Sequence, residues 1–401
     1  MSAPGFLLRR PAAARHDGIL AGIDRLGALL TLAGAAALFL LPFVLFKANR
    51  IVPGDPRAVA EVLPLWASLG FKAMLAAVAA VALLIANGPL RLAAALGGFV
   101  GVTMALAAAA NALTPAHNII VRIAPGGGFW LLAAALGLLA TDAITRMRPG
   151  PLVRVLLLAL FLGASWLALA HGTFDNVSIV REYSLHAAAF ALAARQHILL
   201  SVGSLGAAVI VALPLGILCH RAPRLKPGIL GALNVIQTVP SIALFGILMA
   251  PLGALAEHVP LAAAVGIRGI GAAPAVLALF LYSLLPIVAN TVAGLKRVSP
   301  ATVEAALGMG MTRWQTLISV EFILALPVIV TGIRIVLVQN IGLVTIAALI
   351  GGGGFGTFIF QGIGEMATDL VLLGAIPTVV LAFSAAVLLD ALIEVLDRAR
   401  R

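Results

Sequence analysis

The feature that most constrains this chain is a series of apolar stretches, each about as long as a lipid bilayer is thick. A helix needs about 20 mostly apolar residues to cross the hydrocarbon core of a membrane. The stretches that meet this need are residues 24–46, 65–86, 90–110, 129–145, 151–170, 197–219, 227–250, 274–295, 326–350 and 370–393. The sequence therefore predicts an all-α integral membrane protein with about ten transmembrane helices.

The composition supports a membrane protein and excludes other classes. Hydrophobic residues make up 62% of the 401 residues, whereas charged residues make up only 10%. A soluble protein of this size needs about 25% charged residues. A soluble enzyme, a disordered protein and a nucleic-acid binder are therefore excluded. We interpret the net charge of +11 as a topology signal, and the single cysteine, Cys219, can form no disulfide within the chain.

The Lys and Arg residues of the loops predict how the helices cross the membrane. If the N-terminus is cytoplasmic and the helices alternate, most of these residues lie in cytoplasmic segments. The cytoplasmic set is Arg9, Arg10, Arg15, Arg25, Arg91, Arg146, Arg148, Arg154, Arg221, Arg224, Lys226, Lys296, Arg297, Arg313, Arg398, Arg400 and Arg401. The external set is Lys47, Arg50, Arg57, Arg122, Arg181, Arg195 and Arg268. Because cytoplasmic loops carry the excess of positive charge, both termini are predicted to be cytoplasmic.

The longest predicted external stretch, residues 171–196, divides the chain into two halves. Residues 1–170 hold five predicted spans, and residues 197–401 hold the other five. Within the stretch, residues 183–195 are either a short amphipathic helix on the membrane surface or a plain connector.

The predicted cytoplasmic loop 296–325, which we call the elbow, has the signals of two short helices joined at a glycine turn. Ser299 precedes a proline and is the expected N-cap of the first helix. Gly308 and Gly310 are expected to end that helix, because glycine adopts positive φ without strain. Thr312–Gln315 has the spacing of a capping box, which predicts a second helix. A helix–glycine–helix elbow is a suitable shape for docking into another protein.

Five collinear strings in the second half resemble a known family. Glu304-Ala305-Ala306, followed by Gly310, resembles the EAA loop of permease subunits of binding-protein-dependent ABC importers. The branch that imports osmoprotectants, such as glycine betaine, choline, carnitine and proline betaine, is more similar still. The strings are QTVPSIALFGIL, LPIVANTVAGLKRVSP, EAALGMGMTRWQ, ALPVIVTGIR and IAALIGGGGFGTFIFQG. The resemblance covers residues 197–393 and implies an ABC permease core in the C-terminal half.

The chain departs from the family pattern in two places. The family has I-x-L-P ten residues after the loop glycine, whereas Val320–Ile323 occupies that register here and the proline is Pro327. Residues 1–170 resemble no common permease core, although some osmoprotectant permeases carry extra N-terminal spans. We therefore expect residues 1–170 to be dispensable for docking of an ATPase.

The resemblance implies a function and a set of partners. The chain would be a permease subunit that moves a compatible solute such as glycine betaine or choline across the bacterial cytoplasmic (inner) membrane. Its partners would be a pair of ATPase subunits, an external or periplasmic substrate-binding protein and a second copy or paralogue of the permease, within membrane lipid and without nucleic acid. The residues implied to couple to the ATPase are Glu304, Ala305, Ala306, Gly310, Thr312 and Arg313.

The energy for transport is expected to come from the partner ATPase. The chain has no G-x-x-x-x-G-K-[ST] pattern, so we expect that it is not an enzyme and that ATP is bound by the partner subunit. The histidines lack metal-ligand spacing, and no cofactor or metal is expected. The alternatives are an ABC permease for another small polar solute, such as an amino acid, or a secondary transporter. The near absence of acids in the middle of the spans argues against a secondary transporter.

Uncharged polar residues inside the spans are the candidates for a translocation path. They are Asn234, Gln237, Thr238, Ser241, Asn290, Gln339 and Asn340. The first four recur at helical spacing and predict one face of the seventh span. Two interpretations stay open for each residue, which are hydrogen bonding between helices and lining of a water-filled path.

Two further features of the second half have open interpretations. Arg334 is expected to snorkel to the membrane surface or to pair within the protein. Gly351–Gly354 followed by Gly356 is either a tight re-entrant turn or a flexible loop.

Overall fold

The structure is a computed structural model that describes residues 24–50, 52–115, 118, 120–264 and 266–398. Both chain ends, and the predicted cytoplasmic residues Arg9, Arg10, Arg15, Arg400 and Arg401, lie outside the described residues. The chain divides into two compact units. The first unit comprises residues 1–45, 56–112 and 125–148, and the second comprises residues 46–55, 113–124 and 149–401.

The elements follow one another in a mostly helical order. The first part of the chain forms α1 (Arg25–Phe39), β1 (Val44–Lys47), β2 (Asp55–Arg57), α2 (Val59–Val62), α3 (Leu65–Leu84), α4 (Gly88–Leu113), β3 (Arg122–Pro125), α5 (Gly127–Met147) and α6 (Pro151–Ala170). The rest forms α7 (Ser178–Arg221), α8 (Lys226–Thr238), α9 (Ser241–His258), α10 (Pro260–Ala264), α11 (Ala272–Lys296), α12 (Pro300–Gly308), α13 (Arg313–Thr316), α14 (Ile323–Ala347), α15 (Gly356–Gly364) and α16 (Thr368–Arg398). The three short strands form a sheet of order β2-β1-β3.

The all-α membrane fold is confirmed. Within the described part of the chain, nine helices are long and apolar enough to cross a membrane, namely α3, α4, α5, α6, α7, α9, α11, the continuous segment Arg313–Ile350 and α16. The first predicted span is shorter than expected. Its helix, α1, has 15 residues and ends at Phe39, because Pro42 disfavours a helical backbone in the residue before it. The chain then enters β1 instead of continuing as a helix to residue 46.

The predicted external connector 171–196, for which a short surface helix and a plain connector were both open, is mostly helical. α7 runs from Ser178 to Arg221 over 44 residues, with one non-helical residue, His186 (φ −119°, ψ 17°). The alanine-rich stretch 187–194 favours helix and contains no glycine or proline. The connector therefore continues directly into the sixth predicted span.

The predicted seventh span, residues 227–250, is broken into two helices. α8 ends at Thr238 and α9 begins at Ser241, with Val239 extended (φ −69°, ψ 128°). Pro240 follows Val239, and a residue before proline is disfavoured in a helical conformation. The predicted single polar face is therefore wrong at its end, because Ser241 lies on a different helix from Asn234, Gln237 and Thr238.

A buried arginine organises one end of the first unit. Arg91 has no exposed surface, and its guanidinium donates to the carbonyl oxygens of Ala82 and Ile85 at 3.1 and 3.2 Å. It also pairs with Asp24 at 3.4 Å and with Asp142 at 3.0 Å. The charge is thus compensated by two carboxylates, as a buried charge requires. This contact network ties together helix ends that are far apart in the sequence.

Candidate functional site

The first helix of the elbow begins as its sequence predicts. The Ser299 hydroxyl accepts a hydrogen bond from the Thr302 N–H at 3.2 Å, and Pro300 is the first helical residue. Within the EAA triplet, Glu304 and Ala305 are exposed, whereas Ala306 is 2% exposed. Glu304 and Ala305 can therefore meet a partner protein, and Ala306 packs inside the elbow.

The turn of the elbow depends on one glycine. Gly310 has φ +88°, a conformation that residues with a Cβ rarely adopt. The Met309 N–H donates to the Ala305 carbonyl at 3.0 Å, and the Met311 N–H donates to the Ala306 carbonyl at 3.2 Å. These bonds satisfy carbonyls at the end of α12. Among the described residues, no atom lies within 4 Å of the position that a Cβ on Gly310 would take, so the backbone angle is what requires glycine there.

The second helix of the elbow starts with the predicted capping box. The Thr312 N–H donates to the Gln315 side-chain oxygen at 2.8 Å, and the Gln315 N–H donates to the Thr312 hydroxyl at 3.3 Å. Arg313 is the first residue of α13 and is exposed. The helix does not stop before the membrane span, because a π-helix, Leu317–Phe322, connects α13 directly to α14. π-Helical turns are rare and occur often at functional sites.

The elbow also carries exposed apolar side chains that the sequence analysis missed. Trp314 is 66% exposed and Met309 is 78% exposed, with Leu307 and Ile318 also exposed near them in the sequence. Large aromatic and methionine side chains are enriched in protein interfaces. A tryptophan in a predicted cytoplasmic loop was the available signal for this surface.

A buried carboxylate in the π-helix was missed as well. Glu321 stands in the register where the family has its I-x-L-P, and its side chain is 4% exposed. Its Oε1 pairs with the Arg221 guanidinium at 2.7 Å, and its Oε2 lies 3.7 Å from His220 Nε2. Both partners are at the end of α7, and Arg221 precedes Glu321 by 100 residues in the sequence. The pair joins the elbow to α7.

Gln237, one of the predicted path residues, compensates for a proline in α11. Pro286 has no N–H and cannot donate to the carbonyl of Tyr282, four residues earlier. The Gln237 amide nitrogen donates to that carbonyl at 2.7 Å. In return, the Tyr282 hydroxyl donates to the Val239 carbonyl at 2.6 Å. The two bonds fix the break between α8 and α9 against α11.

The other polar residues of α8, α9 and α11 differ in their surroundings. Asn234 and Thr238 are exposed, Ser241 is half-buried, and the Thr238 hydroxyl donates within its own helix to the Val235 carbonyl at 2.7 Å. Asn290 donates to the Pro286 carbonyl at 2.8 Å.

Asn340 forms the centre of a buried polar contact among three helices. It has no exposed surface. Its amide nitrogen donates to the hydroxyl of Ser204 on α7 at 3.1 Å and to that of Ser283 on α11 at 3.0 Å. Its neighbour Gln339 is half-buried. The hydrogen bonds of Asn340 are satisfied within the protein, which favours its role in helix packing.

Arg334 pairs with an acid, in agreement with one of its two expected roles. Its guanidinium contacts the Asp390 carboxylate, so that α14 and α16 are joined by an ion pair. In the part of the chain that the structure describes, no group of three or more His, Cys, Asp or Glu residues could hold a metal ion.

Comparison with known proteins decides the family. Residues 212–401 match the family model described as binding-protein-dependent transport system inner membrane component. Residues 24–180 match the model described as ABC transporter permease YehY, N-terminal domain. The osmoprotectant import permease protein OsmW of Salmonella typhimurium is 46% identical over 187 residues, which cover 47% of this chain and 82% of that protein. The chain belongs to the family of binding-protein-dependent ABC importer permeases.

Two further permeases of similar sequence agree with this membership. The carnitine transport permease protein OpuCB of Listeria monocytogenes is 40% identical, over 47% of this chain and 78% of that protein. The glycine betaine/carnitine/choline transport system permease protein OpuCB of Bacillus subtilis is 36% identical, over 51% of this chain and 84% of that protein. A chain of the inward-facing MetNI methionine ABC transporter aligns with a TM-score of 0.43 at 20% identity, over 52% of this chain and 95% of that chain. The resemblance to osmoprotectant permeases is confirmed, and the chain is a non-catalytic, multi-pass membrane subunit whose ATPase is a separate protein.

The glycine-rich segment of the permease is a tight turn held by α7. Gly351, Gly353 and Gly354 all have φ near +80°. The Gly354 N–H donates to the Gln196 side-chain oxygen at 3.2 Å, and the Phe355 N–H donates to His197 Nδ1 at 3.2 Å. The tight turn, rather than a flexible loop, is therefore the observed form. We call residues 351–355 the glycine turn.

The permease buries a second glutamate near the start of α7. Glu182 has no exposed surface, and its Oε1 lies 3.5 Å from Arg50 Nε and 3.8 Å from Arg122 Nε. The ring of His186 lies 3.6 Å from Oε2. Arg50 also pairs with Glu365, at the end of α15, at 2.8 Å. Arg50 and Arg122 belong to the predicted external set, and their charges form ion pairs with acids of the protein.

Asp369, at the start of α16, has a similar environment. It is 2% exposed, accepts a hydrogen bond from the Ser178 hydroxyl at 2.7 Å and pairs with Lys47 at 3.5 Å. Residues 46–55 and 113–124 belong to the second unit together with α7 and α16. Segments from the N-terminal half of the sequence thus supply partners for two buried acids of the second unit.

Proposed function

We propose that the chain is the permease subunit of an importer for a compatible solute such as glycine betaine, choline or carnitine. The observation that carries the proposal is the elbow, in which a positive-φ glycine joins two capped helices and leaves Glu304 exposed beside apolar side chains. The solute class comes from the relatives, which are named as permeases for osmoprotectants, carnitine, glycine betaine and choline. An amino acid or another small polar solute is the alternative cargo.

In this proposal the elbow docks onto an ATPase subunit. Glu304 supplies the charged contact, Ala305 allows close approach, and Ala306 supports both from inside the elbow. Gly310 sets the angle between the two helices, and Thr312 and Arg313 present the second helix. Trp314 and Met309 add apolar contact area. When a pair of ATPase subunits binds ATP and closes, the elbow moves as a rigid element and changes the packing of the membrane helices.

The remaining partners follow from the type of importer. An external or periplasmic binding protein delivers the solute, and a second copy or paralogue of the permease completes the pore. The chain lies in the bacterial cytoplasmic membrane with both termini and the elbow inside, in accordance with the positive-inside rule. We propose that the chain binds no cofactor of its own.

We propose that the translocation path runs along the break between α8 and α9. Asn234 and Thr238 are exposed on α8, and Ser241 begins α9 just beyond the break. An extended backbone at membrane depth is tolerated where protein or a water-filled cavity covers it. Gln237, Asn290 and Gln339 would border this path, and Asn340 would support it through the contact with Ser204 and Ser283.

Charge reversal in the elbow tests the docking role. Glu304 is exposed, so Glu304→Lys should change the stability of the permease by no more than about 0.5 kcal/mol. It should nevertheless weaken co-purification of the ATPase or uncouple ATP hydrolysis from transport. Gly310→Val should also abolish transport, because a β-branched residue resists φ +88°. Glu257→Lys, at an exposed position of α9, is the matched charge reversal and should behave like the parent chain.

Three quantities decide the test for each variant, namely membrane abundance, ATPase co-purification and solute uptake. Full uptake by both elbow variants at normal abundance would refute the docking role. The solute itself is tested by uptake of labelled glycine betaine, choline, carnitine, proline and other amino acids into vesicles that contain the whole complex. Uptake of only an amino acid would favour the alternative cargo.

A further inference from the structure

We infer that the Glu321–Arg221 ion pair transmits movement of the elbow to α7, and that α7 transmits it to the glycine turn. The inference rests on the proposed docking role of the elbow. It assigns Glu321, Arg221, Gln196 and His197 as positioning residues for transport. Arg221 is the last residue of α7, and Gln196 and His197 lie 25 and 24 residues before it in the same helix. Glu321 lies in the π-helix that contacts Arg221, and all four residues belong to the second unit.

The contact at the elbow end cannot be given up easily. The Glu321 side chain is 4% exposed, and its carboxylate is 2.7 Å from the Arg221 guanidinium. A buried carboxylate that loses its partner is strongly destabilised. Movement of the elbow must therefore either carry Arg221 with it or break the pair. Because Glu321 lies in a π-helix directly after α13, it is continuous with the docking element.

The part of α7 between its contact with Glu321 and its contacts with the glycine turn is suited to carry a displacement. Between His186, its non-helical residue, and Arg221, α7 stays helical, including at Pro214. Gln196 and Arg221 are 25 residues apart in this helix, which corresponds to about 37 Å along the axis at 1.5 Å per residue. That length exceeds the hydrocarbon thickness of a bilayer, about 30 Å. This part of α7 is therefore long enough to connect the elbow with the opposite side of a membrane.

The contact at the far end is direct. Gln196 accepts the Gly354 N–H, and His197 accepts the Phe355 N–H through Nδ1. His197 Nε2 lies 3.0 Å from the Ile341 carbonyl, to which it must donate, so this geometry requires the neutral ring. A Cβ on Gly353 would be 2.2 Å from the Gln196 side chain, which shows how closely α7 approaches the turn. Displacement of α7 must therefore move the glycine turn and the α15 helix that follows it.

The test distinguishes a loss of coupling, measured as solute molecules transported per ATP, from a failure of the complex to assemble. The Glu321→Gln/Arg221→Gln double variant removes both charges and leaves no lone buried ion. In the complete reconstituted complex with labelled glycine betaine, it should retain ATPase co-purification and ATP hydrolysis. Uptake per ATP should fall about fivefold or more, the lower limit of typical coupling between distant sites. The charge swap Glu321→Arg/Arg221→Glu should restore uptake, and Arg224→Gln, at an exposed position in the next turn, should have no effect.

A label at the far end reports on transmission directly. Cys219 is the single cysteine of the chain and is buried, so Cys219→Ala gives a background for Thr357→Cys at the exposed start of α15. ATP with vanadate should change the rate of maleimide labelling at position 357. The change should disappear in the double glutamine variant and return in the charge swap. An unchanged ATP response together with normal uptake per ATP in the double glutamine variant would overturn the inference.

The outcome is distinguishable from failure of the docking role. If Glu304→Lys uncouples transport while the double glutamine variant does not, the docking role stands and the role of α7 fails. If neither changes transport, the docking role fails first. A double glutamine variant that does not accumulate, beside a charge swap that accumulates but does not transport, would also contradict the inference.

Discussion

Gln237 donates to the Tyr282 carbonyl oxygen, 2.7 Å away, in place of the N–H that Pro286 lacks. A side chain from α8 thereby completes the backbone hydrogen bonding of α11. Within the hydrocarbon core of a membrane, no water is available to donate a hydrogen bond to a free carbonyl, so its partner must come from the protein. This relationship gives Gln237 a structural role in addition to its proposed place beside the translocation path.

The first prediction concerns this bond. Gln237→Leu should destabilise the permease by about 0.5–2 kcal/mol, the range for polar contacts between membrane helices. Pro286→Ala supplies a backbone N–H for the Tyr282 carbonyl, so Gln237→Leu should cost less in that background. Thermal unfolding in detergent of the parent, both single variants and the double variant measures the difference. Equal costs in the two backgrounds would contradict the role of the amide.

The second prediction separates helix packing from the translocation path. Asn340 is fully buried, and its serine partners also bond to carbonyls of their own helices, Ser204 to Leu200 and Ser283 to Leu279, both at 2.6 Å. Asn340→Leu should therefore lower stability by about 0.5–2 kcal/mol but retain most of the uptake. Thr238→Leu, at an exposed position, should show the reverse pattern in the same two measurements. Loss of uptake in Asn340→Leu at normal stability would place Asn340 in the path.

The third prediction concerns the orientation in the membrane. In the Cys219→Ala background, Met309→Cys should react with an impermeant thiol reagent only after the membrane is opened, because the elbow is predicted to be cytoplasmic. Asp175→Cys should react from outside. Both positions are exposed. Two other positions in the same segments are unsuitable for a cysteine: Gly310 has a φ of +88°, and Ser178 is fully buried. The opposite labelling pattern would overturn the orientation.

The fourth prediction revises the expectation that residues 1–170 are dispensable. A chain beginning at residue 171 lacks Lys47, Arg50 and Arg122, so Glu182 and Asp369 lose their cationic partners. Removing one partner of a buried ion pair costs about 3–5 kcal/mol. The truncated chain should give little folded protein, as measured by monodisperse yield in detergent. Glu182→Gln and Asp369→Asn should restore part of that yield and allow ATPase co-purification to be measured. A stable truncated chain without these changes would contradict the structural role of the pairs.

The elbow could be predicted from the sequence because each of its signals is local. The Ser299 cap, the Thr312–Gln315 capping box and the positive φ of Gly310 depend on residues at most three apart. The break at Val239 was predictable in principle from Pro240, but the apolar run through both helices concealed it.

The long-range pairings could not be predicted in the same way. Lys47 meets Asp369 across 322 positions in the sequence, and no periodicity or spacing links them. Glu321 pairs with Arg221 across 100 positions, and no local signal in the sequence indicates this contact. Whether an acid is buried depends on which helices pack together. Apolar spans of similar length do not indicate which of them are neighbours in the fold.

The buried acids Glu182 and Asp369 also have a consequence for the history of the family. A permease gene that loses or gains the N-terminal segment must change the residues at these two positions at nearly the same time, since an acid without its cation destabilises the core. Relatives without a counterpart of residues 24–180 should therefore carry neutral residues at the positions of Glu182 and Asp369. Relatives with such a counterpart should keep both the acids and their cationic partners. Intermediate sequences should be rare, and we then expect the two halves of the chain to evolve as a linked pair rather than as exchangeable modules.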